Sequence, residues 1–164
     1  MDDVLARISS CLADEDLAAM HHPAGRCWWV TFDIDGREKP TMLVHPPNDE
    51  YVIAATQIDS PVLAHQSLAE LAPEVLVALF ATGTDETFLA SVTYVPTSSE
   101  YFATSACSVE GPSGKKLRRR MEACARLAVA LENALSPLAT APRRAPVQKA
   151  AKPGAKKPRP TKKR

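Results

Sequence analysis

The stretch CWWVTFDIDG, residues 27–36, constrains the fold more than any other part of the chain. Read with the period of two that a strand imposes, Trp28, Val30, Phe32 and Ile34 form one wholly apolar face, and Cys27, Trp29, Thr31 and Asp33 form the other. Asp35-Gly36 follows at once, and this pair favours the tight turn of a β-hairpin. A strand with one apolar face that runs directly into a hairpin turn belongs to an antiparallel sheet covered on a single side. Trp29 then stands out as an indole on the less buried side.

The neighbouring segments fit such a sheet. Strands are expected near 27–34, 40–45 and 51–58, with Pro46-Pro47-Asn48-Asp49 as the second turn. A second hairpin is expected from 87–95 and 101–109 around Pro96-Thr97-Ser98-Ser99. Before the strands, Asp2 or Asp3 can cap a helix running to about Met20, with Val4, Leu5, Ile8, Cys11 and Leu12 on one stripe. Between the hairpins, Ser60-Pro61 opens a helix to about Phe80 that Pro73 kinks. After them, Ser113 can cap a long helix in which Leu117, Met121, Cys124, Ala128, Leu131 and Leu135 form one apolar seam. The expectation is an α+β domain over residues 1–140, with an antiparallel sheet of about five strands in the order α-βββ-α-ββ-α.

Charge separates a second region. All 19 acidic residues lie at or before Glu132, whereas ten of the 20 basic residues lie between Arg143 and Arg164. The body therefore carries ten basic against 19 acidic residues, a formal charge of −9, and the tail carries +10. Residues 141–164 contain five prolines and Val147 as their one branched aliphatic. A segment of that kind buries too little surface to offset its ordering entropy, and it is expected to be disordered. Arg143, Arg144, Lys149, Lys152, Lys156, Lys157, Arg159, Lys162, Lys163 and Arg164 are its candidate contacts to nucleic acid, made through phosphates and without base preference.

Several chemistries lack their residues. EGPSGKK, 110–116, sits between a strand and a helix, but Val109 stands where a phosphate-binding loop needs its first glycine, and Lys116 replaces the Ser or Thr that holds magnesium. Asp33, Asp35 and Glu38 lack the remaining ligands of a calcium loop. His21, His22 and Cys27 match no zinc spacing, so no metal and no cofactor is expected. There is no nucleophile elbow, and no enzymatic activity is expected. Cys11, Cys27, Cys107 and Cys124 are scattered and are expected to be free thiols. No apolar run reaches the roughly 20 residues that span a bilayer, and the acidic start has no signal-peptide pattern. A cytoplasmic protein without a membrane partner is expected.

Over residues 1–138 the strand trio CWWVTFDI, TMLVH and YVIAATQI, the segment AELAPEVLVALFATG, the TFLASVTYVP hairpin and the helix LRRRMEACARLAVALENAL resemble the type III secretion chaperone-like superfamily, including its YbjN-type members. The resemblance implies a dimeric cytosolic protein without catalysis that binds segments of another protein through its first helix and sheet. On that reading Trp29, Val4, Ile8 and Leu12 are the protein-binding residues. The basic tail is not part of the resemblance. It leaves open a nucleic-acid-associated protein, in which the tail binds DNA or RNA and the body serves for dimerisation or recruitment.

The tail generates a direct test. If about five of its cations engage phosphates, log affinity for nucleic acid falls against log salt with a slope of roughly −3.5 to −4.5. A salt titration of full-length protein beside a variant lacking residues 141–164 measures this, and the truncated protein is expected to lose the binding.

Overall fold

The structure, a computed structural model, describes residues 3–22, 25–47, 50–64, 89–111 and 113–140. Helix α1 spans Asp3–Ala13, and helix α2 spans Gly114–Thr140. Between them run β1 (Met20–His22), β2 (Cys27–Ile34), β3 (Arg37–Val44), β4 (Tyr51–Gln57), β5 (Ser91–Val95) and β6 (Glu100–Ser108). The six strands form one antiparallel sheet in the order β1-β2-β3-β4-β6-β5. The expected α+β class holds, with six strands where about five were expected.

The additional strand is β1, and it exists because α1 stops early. The helix expected to reach Met20 ends at Ala13, where Asp14, Glu15 and Asp16 would place three negative charges at the negative end of the helix dipole. Asp16 instead adopts a left-handed φ of 54°. Its N–H donates to the Ala13 carbonyl at 3.0 Å, and the Leu17 N–H donates to the Leu12 carbonyl at 3.1 Å. Those two bonds are the Schellman closure of a helix C-terminus. The released chain then pairs Met20, His21 and His22 with Trp29, Trp28 and Cys27.

The β2–β3 hairpin has the register expected of its turn. Ile34 pairs with Arg37, and the two residues between them, Asp35 and Gly36, have φ of 53° and 77°. Both values positive is the requirement of a type I′ turn. In the second hairpin the strand expected from 87 begins at Ser91, and Thr87 and Phe88 lie outside the described residues. So do the middle helix expected to reach Phe80, beyond Ala64, and the whole of the tail from 141.

One face of the sheet meets the helices. Trp28, Val30, Phe32 and Ile34 of β2 are buried with Leu43 of β3, Val52 and Ala54 of β4 and Ala103 of β6, and the whole α2 seam from Leu117 to Leu135 packs into the same cluster. Helix α2 begins as the sequence indicates, with the Ser113 hydroxyl accepting from the Lys116 N–H at 3.3 Å. Gly114 comes next, and a Cβ there would lie 2.4 Å from the Cys11 carbonyl oxygen. Glycine is therefore what lets the start of α2 lie against the end of α1. Arg118 strengthens the junction by donating to the Glu15 carbonyl at 3.1 Å.

Near its other end α2 is tied to the sheet by charge. Glu132 is buried, and its carboxylate accepts from Lys39 Nζ at 2.5 Å, from Arg37 at 2.9 Å and from the Asp59 backbone N–H at 2.7 Å. A buried carboxylate with three donors is satisfied, but losing it leaves Lys39 without its counter-charge. Glu132→Ala is expected to cost about 3 to 5 kcal/mol in stability, and Glu132→Gln less, because an amide oxygen still accepts. Chemical denaturation of the two variants checks both the size and the order.

Candidate protein-binding face

The strand alternation that buries Trp28 turns Trp29 to the opposite side of the sheet. The two indoles have separate environments. Trp28 is buried, its indole N–H donates to the Ser9 hydroxyl of α1 at 3.0 Å, and its ring lies 5.1 Å from that of His21. Trp29 is 40% exposed. Register places Met20 of β1 on one side of it and Met42 of β3 on the other, and Met42 in turn opposite Ala55 of β4. Met20 is 72% exposed and Met42 is half-buried.

The result is a cross-strand row of two methionines around a tryptophan. A second row beside it pairs Cys27 with Val44 and Val44 with Ile53. Toward the hairpin tip the same face turns polar through Thr31 and the directly opposed acids Asp33 and Glu38. An apolar patch with a polar border is the composition of a binding surface, since an indole supplies rigid contact area and thioethers adapt to what they meet.

The other protein-binding residues expected from the sequence fall elsewhere. Ile8 and Leu12 are fully buried in the core, and Val4 packs against it. The apolar stripe of α1 thus faces this protein's own sheet and α2. Helical periodicity reports that a face is covered, not by what. Of the four residues, Trp29 alone is exposed. The tail cations from Arg143 to Arg164 lie outside the described residues.

Sequence reasoning passed over Met20 and Met42, although Met42 stands at an outward position of TMLVH and could have been read from alternation. Met20 had no such signal, because it was assigned to the first helix. The ion cluster of Arg37, Lys39 and Glu132 also went unread. Its one trace is that alternation puts Lys39 on the same side of β3 as Thr41 and Leu43.

Among the described residues the other candidate chemistries find no assembled site. His21 lies against Trp28 on the helix-covered side, while His22 pairs with Cys27 in register. Among the described residues no three His, Cys, Asp or Glu side chains are grouped to hold a metal ion. The start of α2 is packed against Glu15. Burial pushes the Cys124 thiol up to about 12 against the opposing pull of Arg120. Burial also raises Cys27, and burial together with Asp14 outweighs Arg7 to raise Cys11. These three thiols stay protonated at neutral pH and are poor nucleophiles. Among the described residues no helix is long and apolar enough to cross a membrane.

No protein-family model matches the chain. No curated protein matches it either. Among solved structures it is similar to a chain of the HopA1–SchA chaperone–effector complex, with a TM-score of 0.56 and 12% identity over 81% of this chain and 98% of that one. It is similar as well to an uncharacterized protein from Methanothermobacter thermautotrophicus, with a TM-score of 0.53 and 12% identity over 82% and 98% of the two chains. A chain of the ExoT–SpcS complex from Pseudomonas aeruginosa matches over 81% and 98%, with a TM-score of 0.45 and 12% identity.

The two indoles predict different mutant phenotypes. Trp28→Ala removes a packed side chain and strands the Ser9 contact, and it is expected to cost roughly 3 to 5 kcal/mol. Trp29→Ala is expected to cost under about 1.5 kcal/mol, toward the range of surface changes. Urea unfolding curves of the two variants separate them.

Proposed function

We propose that this chain, which has the type III secretion chaperone-like fold, is a non-enzymatic chaperone or adaptor that acts as a homodimer and holds a segment of another protein against its outer sheet face. The observation that carries the reading is the row Met20–Trp29–Met42, in which Met20 and Trp29 are exposed, on the side of the sheet away from α1 and α2. The HopA1–SchA neighbour supports it, being a complex of a chaperone with an effector. A client segment with apolar side chains at helical or strand spacing suits such a face. The four free cysteines fit a reducing, cytoplasmic location.

A second reading rests on the segregated charge. The +10 tail supplies phosphate contacts and the folded body recruits or dimerises. The two readings are compatible, since they use different parts of the chain.

Photo-crosslinking in the native host tests the first reading. A crosslinking side chain at position 29 is expected to trap a defined set of proteins that the same group at position 7, on the exposed side of α1, does not trap. Met20→Asp in the same protein is expected to cut that yield about thirtyfold, the scale of losing roughly 2 kcal/mol at a hot spot. Identical adducts from both positions, or none from position 29, would overturn the proposal.

A further inference from the structure

The outer face that carries Trp29 ends in unbalanced charge at the β2–β3 turn. Asp33 and Glu38 stand directly opposite each other in register, and like charges so placed destabilise a sheet. Asp35 adds a third acid in the turn itself. The two cations of the hairpin are engaged on the helix side, where Arg37 and Lys39 both donate to Glu132 of α2. Among the described residues no cation pairs with Asp33, Asp35 or Glu38.

The end of α2 leaves the sheet at this same turn. Cys124 lies against the Ala54 carbonyl in the middle of β4, and Glu132 accepts from the Asp59 N–H just past its end, so the helix runs with β4 toward the β2–β3 tip. The Asn133 side chain accepts from Arg37 at 2.9 Å, one residue after the turn. Thr140, the last residue of α2, comes seven positions later, about 10 Å further along the axis. Residues 141–164 therefore start beside the three acids, and they carry ten cations and no acid. Fully extended they span up to roughly 80 Å, against about 26 Å for the whole of β2.

We infer that the tail folds back around the hairpin tip and lies across the outer sheet face, with cations on Asp33, Asp35 and Glu38 and later residues over Trp29. The inference goes beyond the proposed function, because it needs the face but no client. Charge complementarity and the tether select the tail as the occupant: a segment joined to the end of α2 meets the face at an effective concentration on the order of millimolar. Its five prolines lack the N–H groups that a strand ladder uses, so it suits lying on side chains more than adding a strand. Lysine or arginine over the exposed indole of Trp29 gains a cation–π contact. The tail and the face then shield each other. A polyanion that takes up the tail uncovers the Met20–Trp29–Met42 row, and by linkage a segment bound on that row releases the tail.

Solvent access to Trp29 in the full chain tests this. Protein made with 5-fluorotryptophan gives one fluorine NMR signal for each indole, assigned with Trp29→Phe, and a dissolved neutral gadolinium chelate broadens the signal of an indole it can touch. Trp28 is buried and serves as the internal reference. At about 10 mM salt, where the screening length is roughly 30 Å, Trp29 of the wild type is expected to broaden at least about twofold less than in a full-length variant whose ten tail cations are replaced by glutamine, the effect of a tethered site occupied more than half the time. At about 1 M salt, where that length is roughly 3 Å, the two proteins are expected to coincide. Asp33→Asn combined with Glu38→Gln in the full chain is expected to match the glutamine variant, because the tail loses its anchor while an amide oxygen at position 33 still accepts from the Gly36 N–H. Equal broadening in the wild type and the glutamine variant at low salt would overturn the inference and leave the client reading standing. Protection of Trp29 that survives the change at Asp33 and Glu38 would overturn the path over the hairpin tip. Protection lost on about tenfold dilution would assign the covering tail to another molecule and overturn the fold-back.

Discussion

The structure depends on the burial of α2 against one side of the sheet. Its seam of Leu117, Met121, Cys124, Ala128, Leu131 and Leu135 lies in the core with the inward residues of β2, β3, β4 and β6. Two contacts fix where the helix sits. At its start Gly114 touches the Cys11 carbonyl and Arg118 caps the end of α1. Toward its end Glu132 gathers Lys39, Arg37 and the Asp59 N–H. Apolar area supplies the driving force, and the glycine contact and ion cluster at the two ends set the position along the sheet.

With the helix layer on one side, the alternation of every strand acquires a direction. A slip of one residue in β2 would exchange Trp28 with Trp29 and send the whole apolar set to the wrong face. The Asp35-Gly36 turn and the Trp28–Ser9 hydrogen bond both oppose such a slip. Adjacent indoles can therefore divide their work. One joins the sheet to α1, and the other stands between two methionines on the surface.

The same asymmetry accounts for the first helix. Its apolar stripe is short and its far side exposed, so it suited either a core or a client. Ile8 and Leu12 went to the core because α1 shares with α2 the helix-covered side of the sheet. The Met20–Trp29–Met42 row is thereby left on the opposite face of the sheet.

The sequence by itself determined the local elements. The bounds of β2, the Asp35-Gly36 turn, the Ser113 cap and the α2 seam all follow from residue period, turn chemistry and capping, which act over a few positions. The outward placement of Trp29 follows from the same period. Tertiary structure decided what covers each face, because burial depends on partners distant in the chain. Glu132 and Lys39 are 93 positions apart, and neither announces the other. β1 formed because a run of acids ended α1 and left Met20–His22 free to pair with a strand already present. Its partner supplied the order that three residues could not supply alone.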